Sequence, residues 1–319
     1  MKRGGPVPVR RRVGCARRGT VRSVLAALLV TAVASGCSPG SGGRAEHRAA
    51  GPAVGLPGAP AGAAGPARDL YGYGAKLQRA QAARAAAARR WGLEQTPLVP
   101  PAPPAVKPHL TTRKGFEVKG GNDSLPAVFT TVPTEERIVF LTIDDGDYKD
   151  PELLRMMSEL QIPYSAFLSD YLVRNDYGYF KEAQDRGVTL NNHTVDHSYL
   201  PGLSYGDQKR QICGQQDILE MEYGQRPTLF RPPYGNYNGD TLRIARSCGI
   251  KAVPLWAEEA FPDRMEWREP DHDLHPGDII LTHFHGAKDW GGTMADMIRA
   301  VMKTITDKGY AVARLEDYV

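Results

Sequence analysis

Four short segments of this 319-residue chain carry side chains able to do hydrolytic chemistry. In order they are Thr142-Ile143-Asp144-Asp145-Gly146, His193-Thr194-Val195-Asp196-His197, Arg231-Pro232-Pro233-Tyr234-Gly235 and Leu281-Thr282-His283. A carboxylate pair closing an apolar run, followed by two histidines four apart, offers the N and O ligands of a catalytic zinc that keeps one position open for water. A carboxylate not consumed as a ligand can take the proton of that water. Each segment alone is ordinary: Asp-Asp-Gly ends many strands, and histidines four apart are often surface residues. Four in one order favour a hydrolytic site over coincidence.

The elements around these segments must bring them together. Short apolar runs over residues 138–143, 164–169, 188–191, 228–231, 252–256, 279–283 and 311–315 read as strands. Helical patterns over 151–160, 177–186, 205–223, 239–248 and 293–308 separate them. This alternation predicts parallel strands joined by crossover helices. About seven such units suit a barrel better than an open sheet. Each chemical segment then lies at the carboxyl end of a strand, where barrel enzymes place their active sites.

The four motifs, their order and their spacing resemble the NodB-type polysaccharide deacetylase family, over roughly residues 130–319. The resemblance implies a distorted (β/α) barrel of about seven parallel strands and metal-dependent removal of acetyl groups from N-acetylated glycans. Carried over residue by residue, it implies that Asp145, His193 and His197 bind a divalent metal, zinc being the expected ion, and that Asp144 is the base. Arg231 would orient Asp144 with a forked guanidinium, the backbone N–H of Tyr234 would help hold the oxyanion, and His283 would protonate the departing amine. His285, on the same side as His283 if the strand continues, is the alternative acid. Asp196 is either an acceptor that fixes a ligand histidine or a solvent-facing acid. The chain departs from the family pattern after Trp256, where an Asp-x-x-Asp-Trp-like segment is replaced by Ala257-Glu258-Glu259-Ala260-Phe261, with Glu259 the candidate substitute. Ile143 and Asp147 stand where Phe and Pro are frequent.

The flanking sequence concerns delivery rather than chemistry. Residues 1–36 read as a signal peptide: eight Lys and Arg with no acid, then an uncharged run over 24–34, too short to span a bilayer but right for a signal. Ala34-Ser35-Gly36-Cys37 resembles a bacterial lipobox, with Cys37 as the lipidated residue that attaches the protein to the outer face of the cell membrane; simple secretion is the other reading. Residues 37–118 are expected to form a Gly/Pro/Ala-rich tether with one short, solvated helix near 75–91, leaving 119–319 as the catalytic domain. That domain carries 21 Lys and Arg against 32 Asp and Glu, a net of −11, which argues against a nucleic-acid partner. A monomer acting on an N-acetylated polysaccharide of the envelope is the expected arrangement. An O-acetyl esterase on the same site, or a glycan-binding protein of low activity, are the alternatives. Cys213 and Cys248 are either a disulfide or two buried thiols.

Overall fold

The computed structural model describes residues 66–319, with side chains from residue 73. The signal segment, Cys37 and nearly all of the Gly/Ala/Pro stretch lie outside the described residues. The elements run α1 (Pro66–Arg90), β1 (Ala127–Phe129), β2 (Ile138–Asp145), α2 (Pro151–Leu160), β3 (Ser165–Leu168), α3 (Asp170–Val173), α4 (Tyr177–Asp185), β4 (Thr189–Asn192), α5 (Tyr205–Tyr223), α6 (Gly239–Ser247), β5 (Ala252–Pro254), β6 (Glu258–Ala260), β7 (Met265–Trp267), β8 (Ile279–His283), α7 (Ala287–Trp290), α8 (Met294–Asp307) and β9 (Ala311–Ala313).

The main sheet has the order β4-β3-β2-β8-β6-β7, with β9 pairing the start of β2. Every pairing in it is parallel except β6 with β7. The central strand β2 is buried along its whole length, as expected for a parallel strand covered on both faces. Helices α2 and α8 bury Leu153, Met156, Leu160, Met297, Val301 and Ile305 in a core shared with Ile143 and Ile280 of the sheet. Caps fix where the helices begin: Asp150 accepts from the Glu152 N–H, and Thr293 and Asp296 form a reciprocal capping box, each satisfying otherwise orphaned donors of the first turn.

The expected barrel of about seven parallel strands is met in part. The sheet is parallel and of the right size, but no continuous ladder closes it. The predicted strand over 228–231 is reduced to isolated bridges, Asn192 to Phe230 and Leu229 to Ala252, which lead from β4 to the separate β1-β5 pair. From there the Ile279 N–H reaches the Thr130 carbonyl. Thus single bonds, rather than a strand ladder, return the circuit to β8.

Two further expectations are corrected. The helix near 75–91 is neither short nor simply solvated: α1 spans 25 residues, and Ala87 and Ala88 are buried in the core. The buried Arg84 guanidinium donates to the carbonyls of Leu160, Pro97 and Leu98. The proline-rich stretch also lies on the domain, since Leu98 bridges to Ala311 and the Lys107 ammonium donates to the Glu316 and Val319 carbonyls. Cys213 and Cys248 are joined as a disulfide across a sequence separation of 35 residues, with Cα atoms 5.3 Å apart.

Candidate active site

Extended strands point successive side chains to opposite faces, so Asp144 and Asp145 could not share a pocket if β2 simply continued. It does not continue: Asp145 has φ 78° and Gly146 φ 91°. The left-handed turn brings both carboxylates to one side, against the same imidazole. His193 Nε2 lies 3.6 Å from Asp144 Oδ2 and 3.4 Å from Asp145 Oδ1, and His197 Nε2 lies 3.3 Å from the same Asp145 oxygen. Gly146 is required next, because a Cβ there would meet Val173 Cγ1 at 2.4 Å. Thr194, His197 and Tyr234 are also left-handed, so four of the six non-glycine residues with positive φ among the described residues surround this site. Each such conformation costs about 1–3 kcal/mol, and their gathering at one place marks a backbone shaped for chemistry.

The donor set fits a divalent cation. Asp145 Oδ1 is buried without a hydrogen-bond partner, although two imidazole nitrogens face it. One ligand atom from each of Asp145, His193 and His197 lies within 4.8 Å of the others. His193 Nδ1 sits 2.7 Å from the Arg231 carbonyl. Because a carbonyl only accepts, Nδ1 carries a proton, and in the neutral ring it is the Nε2 lone pair that faces Asp145. That backbone carbonyl does the job considered for Asp196, whose exposed carboxylate instead accepts from Gln211 Nε2.

Electrostatics at these residues is dominated by burial and by their mutual charges. For Asp145, burial favours the neutral acid, but the adjacent imidazoles, His193 foremost, outweigh it and hold the carboxyl well below its usual range. Burial opposes protonation of His193, yet Asp144 and Asp145 reverse the balance and raise it. His197 is lowered to about 4 by burial and the neighbouring His193.

Arg231 is fully buried and holds Asp144 differently from the expected fork. One nitrogen, Nη1, donates to Asp144 Oδ1 at 2.7 Å and faces Thr142 Oγ1 at 2.9 Å, while Nε and Nη2 donate to the Pro254 and Leu255 carbonyls. The guanidinium also lies 4.3 Å over the Phe167 ring. The rest of the fork anchors Arg231 to the end of β5 and the residue after it, leaving a single charged bond for the aspartate.

On the other edge of β2, His283 is the register partner of Asp144. Neighbouring strands are about 4.8 Å apart, so the two side chains share one face at close range. Burial lowers His283, opposed by Asp145 and Asp144. Glu259 Oε1 approaches His283 Nδ1 at 3.5 Å, an electrostatic contact longer than a hydrogen bond. Burial, Glu266 and Asp144 push Glu259 up to about 7. His285 stacks on His283 with ring centres 5.3 Å apart, and its Nδ1 is buried without a partner. Tyr234 is exposed and sets its ring 4.7 Å from that of His197.

Sequence reasoning gave no role to Glu258, the neighbour of Glu259 in β6, whose charged neighbours are Asp278, Glu269 and Asp271 rather than the motif residues. Its carboxyl is buried, with one oxygen unpartnered, and burial together with Asp278 pushes it up to about 10. Glu-Glu in a three-residue strand gives no signal as to which of the pair turns inward. A cavity of about 680 Å³ lies elsewhere, between the proline-rich segment, α2 and Tyr318, and contains none of the motif residues.

The sequence model of the polysaccharide deacetylase family matches residues 131–253. The chain is 38% identical to an uncharacterised protein of Streptomyces coelicolor over 196 residues, 61% of this chain and 78% of that one. It is 31% identical over 199 residues to the peptidoglycan-N-acetylmuramic acid deacetylase PdaC of Bacillus subtilis, covering 59% of this chain and 40% of that protein. Among solved structures, a family 4 carbohydrate esterase from Bacillus anthracis superposes with a TM-score of 0.51 at 21% identity, covering 64% of this chain and 93% of the other. At that identity the likeness concerns the fold.

Proposed function

Because the chain belongs to the polysaccharide deacetylase family, we propose that it is a metal-dependent hydrolase removing acetyl groups from N-acetylated glycans of the cell envelope. One observation carries the reading: the unpartnered Asp145 oxygen faces two imidazole nitrogens beside an arginine-held second aspartate. Asp145, His193 and His197 would hold the cation, with Zn²⁺ as the resident ion suited to two nitrogens and one oxygen. When bound, such an ion polarises the acetyl carbonyl and acidifies water.

The remaining work falls to the chain's own side chains. Asp144 accepts the proton of the attacking water, while Arg231 keeps that carboxylate aimed. The backbone N–H of Tyr234 donates to the oxyanion formed as the new C–O bond closes, from a loop already fixed by Pro232 and Pro233. His283 gives a proton to the sugar nitrogen, so that the C–N bond breaks to a neutral amine and acetate departs. Delivery follows the sequence pattern: export, a lipid on Cys37, and work from the outer face of the membrane on glycan within reach.

The test is acetate release from peptidoglycan, chitin oligomers and acetylated xylan, before and after chelation and after adding back Zn²⁺. Release from the amide substrates that is lost on chelation and regained with metal is the expected result. Release from xylan alone makes the protein an O-acetyl esterase, and metal-independent release removes the ligand assignment.

A further inference from the structure

The two histidines assigned to the metal are held unequally. His193 is fixed at both ends, its Nδ1 against the Arg231 carbonyl and its backbone N–H on the Leu168 carbonyl. For the ring nitrogens of His197 the described residues offer only the facing Asp145 oxygen. Its ring packs between those of His193 and Tyr234, with centres 4.8 and 4.7 Å away, and its own backbone is left-handed at φ 50°. Thr194, at the other end of the loop, is left-handed too at φ 73°. Such angles are costly away from glycine, so the residues between them must be held from outside.

Helix α5 supplies that hold through Gln211. Its backbone carbonyl accepts from the Val195 N–H at 3.1 Å, its side-chain oxygen accepts from the Asp196 N–H at 2.8 Å, and its Nε2 donates to Asp196 Oδ2 at 2.7 Å. The amide thus grips the backbone and the carboxylate of Asp196 at once. Next along the helix, the Ile212 carbonyl and Gln216 Oε1 accept from Asn192 Nδ2, while Asn192 Oδ1 accepts from the Thr194 N–H. One helix therefore holds both ends of the histidine loop. Its own place is pinned two residues after Gln211, where Cys213 is bonded to Cys248 at the end of α6. The Asn192 contact is buried, whereas Asp196 is exposed and Gln211 half-buried, so the clamp can be altered without opening the core.

We propose that Gln211 is a positioning residue for the metal site: clamped on Asp196, it sets where the loop delivers His197 Nε2 against Asp145 Oδ1. Asp196 is the handle by which α5 holds the second histidine. The inference rests on the ligand assignment made above, and its test reads metal binding without any substrate. Zn²⁺ and Co²⁺ are titrated into metal-free protein against a competing chelator, and the visible spectrum of bound Co²⁺ reports the ligand geometry. The proteins compared are wild type, Gln211→Ala, Asp196→Ala, the double alanine variant and Asp196→Asn, with urea unfolding of each metal-free form alongside.

Each alanine variant should bind both ions about 10-fold more weakly, the low end for residues that hold a ligand in place, because the bond from Val195 to the residue-211 carbonyl survives. The Co²⁺ spectrum should change with the affinity. The double variant should lose no more than either single one, since both act through the same contact. Asp196→Asn keeps an oxygen for Gln211 Nε2 and should keep wild-type affinity and spectrum, while the metal-free urea midpoints stay together. Dependence of metal binding on Gln211 in a protein that releases no acetate would support the clamp and remove only the hydrolytic reading. Alanine variants that match wild type in affinity and spectrum would overturn the clamp and leave the ligands standing. So would losses that add in the double variant or that follow a lowered metal-free midpoint. A wild-type protein that binds neither ion would remove the ligand assignment and the clamp together.

Discussion

Replacing Arg231 by Lys keeps the positive charge but removes the planar donor set. The guanidinium reaches Asp144 Oδ1, Thr142 Oγ1 and the carbonyls of Pro254 and Leu255 from a fully buried position. An ammonium placed to serve Asp144 cannot also span both carbonyls. Thr142 remains satisfied, because its hydroxyl donates to Ile280. Leaving a buried acceptor unpaired costs about 1–3 kcal/mol. With Pro254 at 2.8 Å and Leu255 at a weaker 3.4 Å, the two carbonyls together cost about 2–4 kcal/mol. A domain stable by about 5–15 kcal/mol stays folded after that loss. Asp144, held by a looser partner, should wander by enough to cost about 100-fold in kcat. Metal content should not change, because the group that orients His193 is the backbone carbonyl of residue 231, which every substitution retains. Urea unfolding, acetate release and metal analysis of one preparation test all three parts. Loss of the metal together with activity, or near-normal kcat with an unfolding cost below about 1 kcal/mol, would refute the division between an arginine that aims the base and a backbone that aims the ligand.

Other expectations separate the remaining roles. Asp144→Asn should nearly abolish acetate release while binding metal in full, since an amide keeps the shape but cannot take the proton; stoichiometric metal loss would make Asp144 a ligand instead. His283 is lowered by burial, so it gives up its proton at lower pH than an ordinary imidazole and turnover should fall on the alkaline side. His283→Ala should erase that limb with most of the rate and His285→Ala should keep both, whereas the reverse pattern reassigns the acid. Glu258 is raised from an ordinary 4.5 to about 10, so the folded state keeps a proton that the unfolded chain releases. Stability is therefore full below about 4.5 and declines as pH rises toward 10, by up to about 1.4 kcal/mol per unit; Glu258→Gln should flatten urea midpoints between pH 6 and 9, and an unchanged slope would place the carboxyl in water. Cys213→Ser should lower unfolding free energy by about 3–4 kcal/mol for a loop of this length, and an unchanged midpoint would mean that the bridge does not constrain the unfolded chain.

The residues brought together at the site were legible because catalysis demands particular side chains at strand ends, and strand ends are visible as places where an apolar run stops. β8 and the helices α2 and α5 were read to the residue for a related reason: long periodic patterns bounded by His283, Pro151 or Tyr205 leave little freedom. The three-residue strands β1, β6 and β7 were not legible, since pairing rather than periodicity makes them strands, and β7 runs against the parallel rule. The docking of α1 was hidden in an alanine-rich stretch, because it packs through small Ala87 and Ala88 and through Arg84, whose acceptors are backbone carbonyls that leave no trace in side-chain type.

The same distinction runs through the site itself. The identities of Asp145, His193 and Arg231 announce ligands and a clamp, but what makes them converge is written in the backbone. A left-handed Asp145 cancels the alternation of β2, a left-handed Tyr234 turns the loop beside His197, and the residue-231 carbonyl selects the tautomer of His193. Most L-residues resist those angles, and although aspartate tolerates them better than a bulky tyrosine does, the sequence alone does not mark either position as left-handed. They persist because the fold over-determines them: β3 and β8 clamp the end of β2 from both edges, and Gly146 is the residue that lets Val173, Phe180 and Leu168 close over the turn. The geometry of the candidate site is thus a property of the sheet's packing as much as of the motif residues, and a transplant of the four motifs onto sheet ends without that packing should carry the same side chains but not their convergence.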